Sequence, residues 1–241
     1  MQPQPRTEGA DTARRALRVL EVISHADQPV SLEEIVRRTD LGKSMVYRLI
    51  RALQEESYVE RANGGGYTIG GRLFALASAA LPNFDAYASY LPLLRALAAE
   101  SDETCTLHRR AGHRVVLLLG AESEQPLRRV WVAGELTPLA QGSAGLAIMS
   151  GLPGKEIDDV LERLDDSAAA RARRDVARAR RRGYTVSFGV NHPGVNGVAV
   201  PVPGLPMAIS VSGPDARWSE KRMIEFAPRL IEMVEEFHRV G

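Results

Sequence analysis

Residues 41–53 read LGKSMVYRLIRAL, and two patterns run through them at one spacing. Val46, Leu49, Ile50 and Leu53 fall at i, i+3, i+4 and i+7, which makes an apolar stripe on one side of a helix. Ser44, Tyr47, Arg48 and Arg51 repeat the spacing on the other side. The stretch holds Lys43, Arg48 and Arg51 and no acid, a local charge of +3 in a chain whose formal total is +1. One face packs and the other is polar and basic. The major groove of double-stranded DNA admits one such helix. There arginine can pair bidentately with guanine, Ser44 and Tyr47 can contact phosphates or base edges, and Lys43 can meet the backbone near the helix start.

The flanking sequence gives this helix a setting. Asp11 or Thr12 caps a first helix with apolar positions Ala13, Ala16, Leu17, Leu20 and Ile23, broken at Asp27, Gln28 and Pro29. Ser31 and Glu34 then form an S-x-x-E capping box for a short helix that buries Leu32, Ile35 and Val36. Downstream, Tyr58 to Arg61 and Tyr67 to Ile69 alternate like strands around Asn63, Gly64, Gly65 and Gly66, a plausible hairpin turn. Helix, short helix, tight turn, helix and β-hairpin is the order of a winged helix-turn-helix. Gly42, Lys43 and Ser44 also match the end of a phosphate-binding loop, but Arg37 stands where that loop needs glycine and a helix precedes it.

An Ala-rich stretch from Gly71 to Leu81 reads as a linker helix that stops at Pro82. Beyond it, Leu91, Leu94, Leu97 and Ala98 mark a helix, followed by strand-like runs Glu103 to His108, Arg114 to Leu119 and Arg128 to Val132. Helices are expected at Ser143 to Ser150 and Gly154 to Leu164, with an Arg-rich one ending at Gly183. Strands return at Val198 to Val202 and Met207 to Ser212. A last helix, which Pro228 should kink or split, closes the chain. The domain plan is a flexible tail over residues 1–10, a DNA-binding domain over 11–70, a linker helix over 71–88 and an effector domain over 89–241. The fold class is α+β.

At 241 residues, 44% hydrophobic and 25% charged, the chain has the composition of a soluble globular protein. Its near-zero net charge excludes a polyanion coat by bulk attraction, so charge placement decides. Residues 11–82 hold ten basic and nine acidic residues, which limits indiscriminate DNA binding and leaves affinity to depend on a correct site. The single cysteine, Cys105, excludes an internal disulfide and multi-cysteine metal sites, and fits a cytoplasmic setting. No apolar run approaches a membrane span, and the first residues lack a signal-peptide core.

Residues 41–76, LGKSMVYRLIRALQEESYVERANGGGYTIGGRLFAL, resemble the DNA-binding module of IclR-type bacterial transcriptional regulators. The second half resembles the same family through GSAGLA at Gly142 to Ala147, RRRGY at Arg180 to Tyr184, PGVNGVAVPV at Pro193 to Val202 and SVSGP at Ser210 to Pro214. The resemblance implies a winged helix joined by a linker helix to a GAF-like ligand-sensing domain. It also implies a homodimer or homotetramer that regulates nearby genes, often as a repressor. Dimerisation has a physical motive as well, because one small winged helix makes few base contacts and a two-fold pair doubles them on pseudo-palindromic half-sites.

For the sensor, the amides of Ser143 and Ala144 open a helix, where unpaired N–H groups and the dipole attract a carboxylate. Ser210 and Ser212, two apart on a strand, face the same side. In similar proteins the positions of Ser143, Ala144, Ser187, Gly197, Ser210 and Ser212 line the effector pocket. Here Ser187 replaces an acid and Gly197 a cysteine found in some members, Asn191 and His192 stand where an acid is common, and the turn at Pro203 to Pro206 is shortened. The expected partners are double-stranded DNA and a small carboxylate or aromatic effector, with no cofactor and no metal.

Three features tempt toward other functions. Arg171 to Arg182 holds seven arginines against Asp175 and reads as a solvated helix face, with a thin apolar stripe of Ala172, Val176 and Ala179. Cys105 and His108, three apart on a strand, point to opposite faces and cannot act as nucleophile and base. His108 and His113 lack a third metal ligand, and Trp131 and Trp218 read as packing residues. The rival function is an enzyme using Cys105 or a histidine in a second-half pocket.

Overall fold

A computed structural model describes residues 8–240, apart from the side chains of residues 8, 81–85 and 240. It divides into two compact units that meet between Phe84 and Asp85. The expected tail lies outside the described residues as far as residue 7, and helix α1 (Glu8–Ser24) starts before the expected cap at Asp11 or Thr12.

In the first unit α1 is followed by α2 (Leu32–Thr39), α3 (Lys43–Glu55) and the hairpin β1 (Val59–Arg61) and β2 (Tyr67–Ile69). Val19, Ile23, Val30, Ile35, Val46, Leu49, Ile50 and Val59 form its core. Ser31 caps α2 by accepting from the Glu34 amide at 3.2 Å. The reciprocal half of the capping box is not made, because the Glu34 carboxylate turns to Arg37 and Arg38, and these guanidinium partners hold its pKa down to about 2. The hairpin turns through Gly65 and Gly66 at positive φ, and an isolated bridge from Val30 to Tyr67 ties it to the helices. This is the winged helix-turn-helix expected from the sequence.

Helix α4 (Gly71–Ala88) spans the boundary. It passes through Pro82, where the sequence predicts a stop. The first unit's anchor for it is Gly70, where an added Cβ would lie 2.3 Å from the Ser57 carbonyl oxygen.

The second unit continues with α5 (Leu91–Ser101), β3 (Thr104–Ala111), β4 (Arg114–Ala121), β5 (Leu136–Pro138), α6 (Gly142–Ser150), α7 (Gly154–Leu161) and α8 (Asp166–Arg182). It ends with β6 (Thr185–Phe188), β7 (Val195–Pro201), β8 (Met207–Pro214) and α9 (Glu220–Val240). The strands form one antiparallel sheet in the order β5-β4-β3-β8-β7-β6. Alternation sends Cys105, Leu107, Val198, Val200, Ile209 and Val211 to one face, against α5 and α9. Val115, Ala199 and Ala208 face the other way, against α6, α7 and α8. This is the α+β domain anticipated, with helices on both sides.

One expected strand is absent and one expected break in a helix is not made, each for an identifiable reason. Arg128 to Val132 does not form a strand, because the free edge of β4 is taken by β5 through Val116 and Leu136. The Leu117 amide also donates to the Glu135 carbonyl. Nor does Pro228 split α9: the stripe Met223, Ala227, Leu230, Met233 and Val234 is buried on both sides of it, and that packing holds the helix across a missing N–H.

Candidate DNA-reading helix and effector pocket

Helix α3 buries Val46, Leu49 and Ile50 and leaves Lys43, Ser44, Tyr47, Arg48 and Arg51 exposed, so all five expected DNA contacts lie on its open face. Their charges are not equally free. Lys43 Nζ is 2.9 Å from Glu33 of α2, and this hydrogen bond lowers the Glu33 pKa. Arg51 lies 3.8 Å from Glu55. Among the described residues Arg48 has no carboxylate partner, and it reaches the Met45 sulfur at 3.9 Å. The local +3 of the sequence is therefore, in the folded chain, one free guanidinium flanked by two partly compensated cations.

In the second unit the register of the sheet assembles a polar cradle. Ser187, Gly197 and Ser212 stand abreast on β6, β7 and β8, and Ser210 stands abreast of Thr106 on β3. Helix α6 lies over them, with the Ser143 Oγ 3.4 Å from that of Ser210, itself 3.3 Å from Ser212. Gly142 enters the helix at φ +67°, and the Gln141 side chain does not cap the first-turn amides. A Cβ on Gly145 would lie 2.3 Å from the Leu139 carbonyl oxygen, so glycine there sets how closely α6 sits.

Ser143, Ala144, Ser187, Gly197, Ser210 and Ser212 all line one cavity of about 60 Å³. Gly197 makes the space, since a Cβ there would fall 2.8 Å from Ser143 Oγ, 3.1 Å from Ser212 Oγ and 3.5 Å from Ser187 Oγ.

Asn191 and His192, where the family resemblance placed a departure from an acid, also line it, and sequence reasoning missed Thr106, His108, Arg129 and Glu135. Thr106 and His108 carry a readable signal, as polar residues two apart on a strand. Arg129 and Glu135 carry none, because Arg129 sits in the stretch read as a strand and Glu135 in the irregular chain just beyond it. His192 Nε2 lies 2.8 Å from Glu135 and 3.0 Å from Arg129 Nη2, and Arg129 also pairs with Glu135. The guanidinium in the wall is thus already neutralised.

His108 Nε2 is 2.8 Å from the Thr106 hydroxyl, and Cys105 points to the opposite face as expected. Burial, and then the charge of Arg129, depress the His108 pKa from 6.5 to about 4. In the unfolded chain a histidine gains its proton near pH 6.5. Stability is then complete above about pH 6.5 and falls by roughly 3 kcal/mol as pH drops from there toward 4. His108→Asn should flatten that stretch in denaturant titrations at stepped pH; an unaltered profile would clear His108 of the effect. Burial also pushes the Cys105 thiol up, away from thiolate chemistry.

A helix-turn-helix unit with an exposed basic helix and a pocket-bearing domain in one chain are the parts of a ligand-responsive transcriptional regulator. Residues 12–62 match the IclR helix-turn-helix domain and residues 78–239 the C-terminal domain of bacterial IclR transcriptional regulators. The chain belongs to the IclR family. It is 31% identical to SauR of Cupriavidus necator, over 93% of this chain and 96% of that one. It is 26% identical to the transcriptional repressor IclR of Escherichia coli K12, over 96% and 90%. An IclR-family regulator from Brucella abortus superposes with a TM-score of 0.73 at 26% identity, covering 96% of this chain and 92% of that one. Among the described residues no helix is long and apolar enough to cross a membrane.

Proposed function

We propose that this regulator is a cytoplasmic repressor that binds pseudo-palindromic operators as a homodimer or homotetramer and responds to a compact, oxygen-rich carboxylate. Lys43, Ser44, Tyr47, Arg48 and Arg51 read or grip the operator. Ser143, Ala144, Ser187, Gly197, Ser210 and Ser212 hold the effector. The repressor sense follows the relative from Escherichia coli, and oligomerisation follows the two-fold logic of paired half-sites. Helix α4 is the linker that carries the effector's signal to the reading head.

The observation that carries the effector reading is the space above Gly197, where three serine hydroxyls converge below the first turn of α6. Its dimensions and hydroxyl lining suit a few-atom carboxylate better than an aromatic ring. A thermal-shift screen of short hydroxy and oxo acids against aromatic acids tests it. Hits should be the short acids, and Gly197→Ala should erase their shifts while leaving the unliganded melting temperature within a few degrees. Shifts that survive Gly197→Ala, Ser210→Ala and Ser212→Ala would move the pocket elsewhere.

A further inference from the structure

The structure sorts the seven arginines of α8 into two sets. Arg180 donates to the carbonyls of Ser150 and Leu152 at the end of α6. Arg182 donates to the Tyr184 carbonyl and lies over its ring, and Arg173 pairs with Asp158 at 2.9 Å. These three serve the fold.

The other four, Arg171, Arg174, Arg178 and Arg181, follow at i, i+3, i+7 and i+10. At 3.6 residues per turn they fall within an arc of about 80° and along about 15 Å of helix. The buried stripe of Ala172, Val176 and Ala179 lies on the far side. Arg178 reaches Asp175 at 3.4 Å. Arg171, Arg174 and Arg181 have no hydrogen-bond or ion-pair partner among the described residues, and exposed Ala170 and Ala177 flank the ridge without obstructing it.

A solvated helix face does not account for this arrangement. Like charges three and four residues apart weaken a helix. The dipole favours cations in the last turn, where Arg181 stands, but not at Arg171 and Arg174 further back. Protein interfaces are built around apolar and aromatic centres with charge depleted, and the ridge has no such centre. A row of guanidinium groups matches instead a repeating, hydrated anion such as a phosphodiester backbone.

We propose that α8 is a second DNA-binding surface, indifferent to sequence, which grips the backbone of operator DNA beyond the half-sites read by α3. The proposal rests on the DNA-binding reading of the first unit.

The full chain is titrated against two duplexes carrying the operator footprinted upstream of its own gene. One is trimmed to about 20 base pairs, enough for two half-sites one turn apart, and the other is extended by about 20 base pairs on each side. With Arg171→Gln, Arg174→Gln and Arg181→Gln combined, affinity for the extended duplex should fall about tenfold. The slope of log affinity against log salt should lessen by about 3 for each α8 engaged, each neutralised phosphate contributing about 0.9. The trimmed duplex should change by less than about twofold, and the corresponding triple lysine variant should keep both affinity and slope. An unchanged slope on the extended duplex overturns the proposal, as does an equal loss on both duplexes. Lost regulation in cells with intact DNA binding overturns it too, in favour of a protein partner. Arg48→Ala is the separate control: it should lose affinity on both duplexes, and failure there faults the reading of α3 and not the ridge.

Discussion

Alanine at both Arg48 and Arg51 should leave the protein folded and unable to find its operator. Both side chains lie on the open face of α3, away from Val46, Leu49 and Ile50, so neither contributes to the core. Arg48 is the larger loss of the two. Among the described residues no carboxylate holds its guanidinium, so it can enter the groove without breaking an existing pair, whereas Arg51 must leave Glu55. A bidentate contact with guanine is worth about 1–3 kcal/mol, and its removal relaxes specificity at one base position. The double variant should therefore lose at least tenfold and up to several hundredfold in operator affinity, read by fluorescence anisotropy at fixed salt. Lys43→Ala should behave differently, weakening all sequences alike, because Lys43 sits by Glu33 at the helix start and meets phosphate. Operator affinity that survives the double substitution would remove α3 from recognition.

The largest loss of stability should come from Arg217→Ala. Glu103 is fully buried just before β3, and Arg217 meets it with two parallel hydrogen bonds of 2.6 and 2.8 Å. Gly213 leaves the room, because a Cβ there would lie 2.2 Å from a carboxylate oxygen. Removing the arginine strands a buried charge, which costs about 3 kcal/mol or more. In a chain of this length that lowers the melting temperature by about 10 °C. Replacing both members by leucine should cost less than the single change, because no unpaired charge remains. A melting temperature for Arg217→Ala within about 2 °C of the parent would show that water reaches Glu103 in the folded state.

How far the sequence could be read depended on whether a feature was local. The stripe of Val46, Leu49 and Ile50, the cap at Ser31 and the glycine turn of the wing are each set by residues within a few positions, and all three appear in the structure. Pro82 and Pro228 misled for the opposite reason. A proline breaks a helix in isolation, but in α9 the packing of Met223, Ala227 and Leu230 outweighs that local cost. The pocket was half legible. Ser210 and Ser212 declare a shared face by their spacing, and GSAGLA declares a helix start. Arg129, Glu135 and His192 come together only through tertiary contact, from an irregular stretch and a loop that are 63 residues apart at Arg129 and His192. Their spacing in the chain carries no trace of it. The capping box shows a subtler limit: its spacing placed the helix correctly, but Glu34 had better partners in Arg37 and Arg38 than the backbone.

Trp131 lies between Arg129 and Glu135 in the chain, and its ring covers Gly120, where a Cβ would fall 2.7 Å from the indole. The chain has two tryptophans, and the other, Trp218, is sealed in the core. The protein therefore carries its own optical gauge, a fluorophore two residues along the chain from Arg129 of the cavity wall, and filling the cavity should shift its emission in solution against the background of Trp218, without a dye or a label.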